Sequence, residues 1–160
     1  MIFITLGSQK FQFNRLLRAI DELITKGDIV DDVFAQTGYS DYEPKKYDYK
    51  MFLSRDEFAD VISKTDIVIT HGGTGAIVGA IKSGKKVIAI PRLEKYGEHV
   101  DDHQRQIVNQ FKKSDLICGV DDCDELTDAI KFAKNHQFKK YESNTQTIIN
   151  SIEDFIDMAI

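Results

Sequence analysis

Short apolar runs and helix-period stripes alternate along the chain. Ile2 to Leu6 is a continuous apolar run with β-branched residues, which reads as a strand buried on both faces, and Gly7-Ser8-Gln9 turns the chain after it. Between Phe13 and Ile24, the residues Leu16, Leu17, Ile20, Leu23 and Ile24 fall on one helical stripe. Val33 to Gly38 is a second strand stopped by its glycine, and Tyr47 to Leu53 is a shorter third. Ser54 or Asp56 caps a helix that runs to about Lys64 with Phe58, Val61 and Ile62 inward. Asp66 to Thr70 is the clearest strand, followed by the loop His71-Gly72-Gly73-Thr74-Gly75 and a helix from Ala76 to Lys82 closed by Gly84. Lys85 to Ile90 is a strand broken by Pro91, Val100 to Lys113 a helix, Leu116 to Val120 a last strand, and Asp124 to Lys134 a helix. Asn144 to Ile160 predicts a final amphipathic helix with Ile148, Ile149, Ile152, Phe155, Ile156 and Ala159 as its apolar stripe.

Strands that alternate with helices of ~10–15 residues make βαβ units, so the expected fold is α/β with a parallel sheet covered on both faces. Right-handed crossovers then gather the loops after the strands at one sheet edge, where open α/β sheets bind their ligands. At 160 residues the chain is expected to be a single domain spanning 1–160. Its formal charge of −5 argues against a nucleic-acid binder, which would show a basic face. Two cysteines, Cys118 and Cys123, are too few for a disulfide framework. The start Met1-Ile2-Phe3-Ile4 lacks the basic region of a signal peptide, and no apolar run reaches the ~18 residues needed to span a bilayer. A cytoplasmic setting is the simple expectation.

Three strand-end loops carry candidate chemistry. His71-Gly72-Gly73-Thr74-Gly75 combines glycines that let a backbone approach an anion with the free N–H groups of a helix start, which suits a phosphate or pyrophosphate. It also reads as a tight strand–helix turn, and it is neither the dinucleotide fingerprint nor a P-loop. Gly7-Ser8-Gln9 offers a hydroxyl and an amide at a second helix start, or an ordinary cap made by Ser8. The stretch from Pro91 to Gln104 is dense in charged and amide groups that suit a sugar or ribose, or a solvated loop. His99, Asp102 and His103 match no standard zinc spacing, so no metal is expected. Asp122-Cys123-Asp124 precedes a helix, and capping explains it.

Taken together, Gly7-Ser8-Gln9, the run Asp66 to Ile77 and Asp102-His103-Gln104 resemble, in order, the glycosyltransferase family 28 C-terminal domain, the donor-binding half of a GT-B enzyme. The likeness covers roughly Met1 to Cys118 and is nearest to small bacterial capsular or exopolysaccharide subunits of the PssE type, with the eukaryotic subunit that makes dolichol-linked chitobiose further off. It implies a single Rossmann-like domain that holds a UDP-sugar as substrate, with no cofactor. By this resemblance the backbone of Gly72, Gly73, Thr74 and Gly75, with His71 orienting the loop, cradles the pyrophosphate. Ser8 and Gln9 face the phosphates, and Phe52, within Met51-Phe52-Leu53, lies against the uracil. His103 and Gln104 meet the donor sugar, with Glu98 and Asp102 beside them.

Two departures qualify the likeness. Family members often place a glutamate for the ribose on the helix after the glycine loop, and the matching position here is Gly79, so either Glu98 or a partner residue replaces that contact, or nucleotide affinity of the isolated chain is weak. The family's reaction, inverting sugar transfer with a general base at the acceptor hydroxyl, also needs an acceptor-side domain. His71, His99 and His103 are the base candidates in this chain. The implied protein is one subunit of a two-component enzyme that transfers a hexose, for example galactose, to a lipid-linked oligosaccharide. Its partner would be membrane-associated, placing this chain peripherally at the inner membrane face, and the 144–160 helix is a candidate docking element or a self-packed one. A non-catalytic accessory subunit, and an unrelated nucleotide- or phosphate-sensing module, are the competing readings.

Overall fold

The computed structural model describes residues 1–144, so the predicted Asn144–Ile160 helix lies outside the described residues apart from its first position. Strand β1 (Ile2–Thr5) leads to helix α1 (Asn14–Lys26), then β2 (Val33–Gln36), β3 (Asp48–Lys50) and α2 (Arg55–Ser63). The second half runs β4 (Ile67–His71), α3 (Thr74–Lys82), β5 (Lys86–Ile90), α4 (His103–Lys113), β6 (Cys118–Gly119) and α5 (Leu126–Asn135). Among the described residues these strands form one six-stranded sheet in the order β3-β2-β1-β4-β5-β6. Every pairing is parallel, with Thr5 in register with Gln36 on one side and Thr70 on the other.

Alternation along the strands makes two cores. Ile2, Ile4, Ile69 and Ile88 point to the face covered by α1 and α5, while Phe3, Val68, Val87 and Ala89 point to the face covered by α2, α3 and α4. Strands buried on both sides need apolar residues at every position, which is why the runs at Ile2–Leu6 and Ile67–Ile69 carry so little polarity. Phe3 anchors the second core, edge-on to Phe58 at 5.4 Å and stacked near Phe34 at 6.3 Å.

Element ends differ from the sequence reading where side chains outside the periodic pattern decide them. α1 begins at Asn14 rather than near Ser8, so Ser8 is not a helix cap; the position before the helix is Phe13, which caps nothing with its side chain. Ser54 closes α2 with a reciprocal capping box to Glu57. β3 is shorter than Tyr47–Leu53 because the chain beyond Lys50 leaves the ladder, with Met51 O accepting from Gly38 N at 2.8 Å and Gln36 Oε1 accepting from Leu53 N at 3.2 Å. α4 starts three residues after Val100, because the Asp101 carboxylate takes the His103 N–H at 3.0 Å. At the α5 end, Asp122 accepts from Cys123 N and Glu125 accepts from Asp122 N, as the capping reading expects.

Phe3 is fully buried on the central strand, so Phe3→Ala leaves a cavity between β1 and α2. We expect it to cost about 3–5 kcal/mol of folding stability, read as a lower urea midpoint with an unchanged slope.

Candidate functional site

β1 and β4 are neighbours in the sheet, yet the helices that follow them pack on opposite faces, α1 with Leu16, Leu17 and Ile20 in one core and α3 with Ile77 and Ala80 in the other. This divergence opens a crevice at the carboxyl ends of the two strands, the place where such sheets bind ligands. Three turns meet there, packed closely on one another and on the His71 ring. Gly7 adopts φ +71°, and a Cβ on it would stand 2.8 Å from His71 Cε1. Gly38 adopts φ +58°, and its Cβ would stand 2.9 Å from the Gly7 carbonyl oxygen. Larger residues at either position meet both the left-handed backbone penalty and a collision.

The loop after β4 enters α3 directly. Gly73 is the cap position and contributes no side chain, and the first amide to bond back is that of Ile77, to Gly73 O at 3.1 Å. The N–H groups of Thr74, Gly75 and Ala76 therefore have no intrahelical acceptor, at the positive end of the helix dipole. Thr74 and Gly75 are exposed. Gln104 holds this loop from behind: its Oε1 accepts from Gly72 N and from Arg92 N, both at 3.0 Å. One buried carbonyl oxygen thus fastens the β4 loop to the β5 loop and leaves the Gln104 amide nitrogen for other partners.

His71 lies beneath Gly73, so close that a Cβ on Gly73 would collide with His71 Nε2. Thr70 Oγ1 gives its one proton to Thr5 O at 2.8 Å, so toward His71 Nδ1, 3.3 Å away, that oxygen accepts. This fixes the Nδ1–H tautomer and leaves Nε2 bare on the Gly73 side. Burial, assisted by the charge of Arg92, pushes the imidazole down to about 4. At neutral pH His71 is an uncharged support for the glycine turn, and a group of that pKa is a poor general base.

A second set of contacts ties the β1 loop to the β5 loop across the end of β4. Gln12 Nε2 donates to Tyr96 O at 3.1 Å, the Phe11 ring lies tilted against His99 with centres 4.7 Å apart, and Arg92 Nη2 donates to Leu6 O at 2.8 Å and Phe11 O at 3.2 Å. Arg15 grips Glu98 through two parallel bonds of 3.0 and 2.9 Å and reaches Asp122 at 2.6 Å. Glu98 is 1% exposed, and its Oε2 also accepts the Leu93 N–H at 3.0 Å. A carboxylate so buried and so fully bonded does not replace a ribose-binding glutamate, which corrects the expectation for Glu98. Its role is to hold the β5 loop in shape.

The remaining predicted residues fall in distinct places. Ser8 and Gln9 are exposed on the β1 loop, five or more residues ahead of α1, so the helix-start donors expected of that turn are absent from it. Phe52 is exposed and edge-on to Tyr39 at 5.2 Å, forming an aromatic wall beside the Gly38 turn. Asp102 sits at the start of α4, where its carboxylate accepts the Glu94 N–H at 2.9 Å, and His103 is exposed as the first residue of the helix. His99 Nδ1 is 3.1 Å from Asp101 Oδ1. Gly79 is exposed on α3, with open space where a Cβ would stand. The residues that sequence reasoning passed over are Arg15 and Arg92. Arg15 lies within the helical stripe region and its two acid partners are 83 and 107 positions away. The one available signal for Arg92 was its place directly after a buried strand and Pro91.

The His71 environment has a measurable pH signature. The folded state disfavours the imidazolium, so the stability it confers is complete above the ordinary value of 6.5 and is lost as pH falls toward 4. We expect a loss of about 3 kcal/mol across that window, and a shallower pH dependence in His71→Gln, both read from urea midpoints at a series of pH values.

Residues 1–158 match the glycosyltransferase family 28 C-terminal domain. Two curated relatives are UDP-N-acetylglucosamine transferase subunit ALG13 of Kluyveromyces lactis, 29% identical over 84 residues, and of Candida glabrata, 32% identical over 83 residues. Those matches cover 52% and 51% of this chain and 41% and 40% of the relatives, so the chain spans about two fifths of their length. Among solved structures, the glycotransferase of kitacinnamycin superposes with a TM-score of 0.61 at 18% identity, over 84% of this chain and 35% of that one. MurG of Acinetobacter baumannii superposes with a TM-score of 0.58 at 16% identity, over 84% of this chain and 41% of that one. These likenesses show a shared fold, which in the two neighbours occupies 35% and 41% of the chain. A match over nearly the whole chain settles its family: the protein belongs to the glycosyltransferase family 28 C-terminal domains.

Proposed function

We propose that the chain is the donor-binding subunit of a two-component inverting glycosyltransferase, holding a UDP-hexose for transfer to a lipid-linked acceptor. The observation that carries this reading is the uncapped start of α3 at the β1/β4 crevice, where the N–H groups of Thr74, Gly75 and Ala76 have no intrahelical acceptor, Gly73 and Gly75 add no side chain, and Gln104 holds the Gly72 N–H from behind. A diphosphate seated there would have the Tyr39–Phe52 wall on one side for the uracil and the exposed start of α4, with His103 and the Gln104 amide, on the other for the sugar. UDP-N-acetylglucosamine is the donor in the names of both yeast relatives, and galactose was the expectation from the capsular likeness. Both are hexosyl donors, and the capsular or exopolysaccharide setting belongs to the same proposal.

The acceptor's proton has to go elsewhere than His71, which burial keeps a weak base. His99 and the exposed His103 remain the candidates within this chain, and otherwise the general base is assigned to the acceptor-side partner, together with membrane attachment. No helix among the described residues is long and apolar enough to cross a membrane. Activity only upon mixing with the partner supports catalysis, and partner activity without this chain supports the accessory reading.

Two substitutions test the seat itself. Gly75 has open space where a Cβ would stand, so Gly75→Asp is tolerated by the fold, and an acid in the first turn of a helix stabilises it. We expect calorimetry to show UDP affinity falling by roughly tenfold or more while the melting temperature holds, because the added carboxylate occupies and repels at the anion seat. Unchanged UDP binding in both Gly75→Asp and Gln104→Ala, or equal binding of ADP and FMN by the native chain, would sink the proposal. Conversely, Gly79→Glu introduces the ribose-facing acid that the family often carries on α3. We expect it to tighten UDP binding by up to roughly tenfold and to leave uracil affinity unchanged.

A further inference from the structure

The most unusual side chain outside the seat itself is Arg92. It is completely buried, the largest such side chain in the described residues, yet only Nη2 is bonded. Nε and Nη1 find no hydrogen-bond partner among the described residues. The carboxylate that faces it, Glu98, spends its oxygens on Arg15 and Leu93 N–H, and the other titratable neighbour, His71, is uncharged. The ring of Phe13 lies 5.6 Å from the guanidinium carbon. Burying a cation with bonds to spare is costly, and a neutral donor could clamp the two carbonyls of Leu6 and Phe11 at lower cost. What a neutral donor could not supply is the charge.

We propose that Arg92 is a positioning residue for an anionic ligand, a fixed buried cation beneath the β1/β4 crevice whose field holds a diphosphate that it never touches. The placement supports this in two ways. Gly72 N and Arg92 N share the Gln104 oxygen, so the backbone of the anion seat and the backbone of Arg92 hang on one atom. The imidazole that feels the Arg92 charge is the same one that packs under Gly73. In such a poorly screened interior the field of one charge extends across the crevice.

This inference rests on the diphosphate reading, and a ladder of ligand charge tests it separately. Affinities for uridine, UMP and UDP are measured by calorimetry in the native chain, Arg92→Gln and Arg92→Lys, with melting temperatures alongside. Arg92→Gln keeps a donor and removes the charge. We expect it to weaken UDP by roughly tenfold or more, UMP by less, and uridine hardly at all, whereas Arg92→Lys retains most of the UDP affinity. A uniform loss across the three ligands would mean that Arg92 only shapes the loop, and no loss for UDP would mean that its charge is not felt; either outcome overturns the proposal. Should Arg92→Gln fail to fold, Arg92→Lys decides, since a preserved steep ladder supports the charge and a flattened one overturns it. If the native chain binds no uridine ligand, the donor reading fails on its own terms, and inorganic pyrophosphate replaces UDP as the probe. Pyrophosphate binding that Arg92→Gln weakens then supports the inference, and its absence in the native chain overturns it.

Discussion

A parallel sheet sends all its strand ends to one edge, and where the outgoing connections of two central neighbouring strands part company a gap opens between them. Here that pair is β1 and β4, hydrogen-bonded in register from Ile2 with Ile67 to Thr5 with Thr70. Because α1 and α3 leave toward opposite faces, no helix covers the gap above the pair. Everything of functional interest is arranged around that gap: the glycine turn, the histidine under it, the glutamine behind it and the buried arginine below. Shift the β1–β4 register and the Gly7 turn no longer meets His71.

The polar groups around the gap divide by what surrounds them. His71, Gln104 and Glu98 are buried and bonded, so they set shape; Thr74, Gly75, Phe52 and His103 are exposed, so they can meet a ligand. Residue type alone did not predict this division. A histidine and a glutamate look like chemistry on paper, yet burial makes the first a neutral prop, and a bidentate arginine makes the second a strut.

This also explains what could be read from the amino-acid sequence. Short apolar runs and period-3.6 stripes located the strands and α-helices of the described residues, because those patterns are imposed by the burial of the same elements that carry them. The glycine turn after β4 was legible as an anion seat because its signals, small residues and a helix start, are local. Ser8 stands well ahead of α1 because a bent segment from Gly7 to Phe13 intervenes, and its course is set by contacts to Tyr96, His99 and Arg92, more than 80 positions away. Glu98 was misjudged for the same reason, since its partner Arg15 belongs to a different element. Arg92 was invisible because nothing in a sequence distinguishes a solvated arginine after a strand from one sealed beneath a loop.

The ties between the β1 and β5 loops have a kinetic meaning as well. Gln12 to Tyr96, Phe11 against His99, Arg92 to Leu6 and Phe11, and Arg15 to Glu98 span the end of β4 like a row of stitches. Loops so joined are held in one arrangement by the chain's own contacts, which lowers the ordering cost of binding. The opposite wall, Tyr39 and Phe52, is half open to solvent and is anchored through its backbone, Thr37 to Lys50, Gly38 to Met51 and Leu53 to the Gln36 side chain. Adaptation to a guest therefore falls on the aromatic side, and a base-bearing ligand would be gated there while its anionic end meets a surface already set.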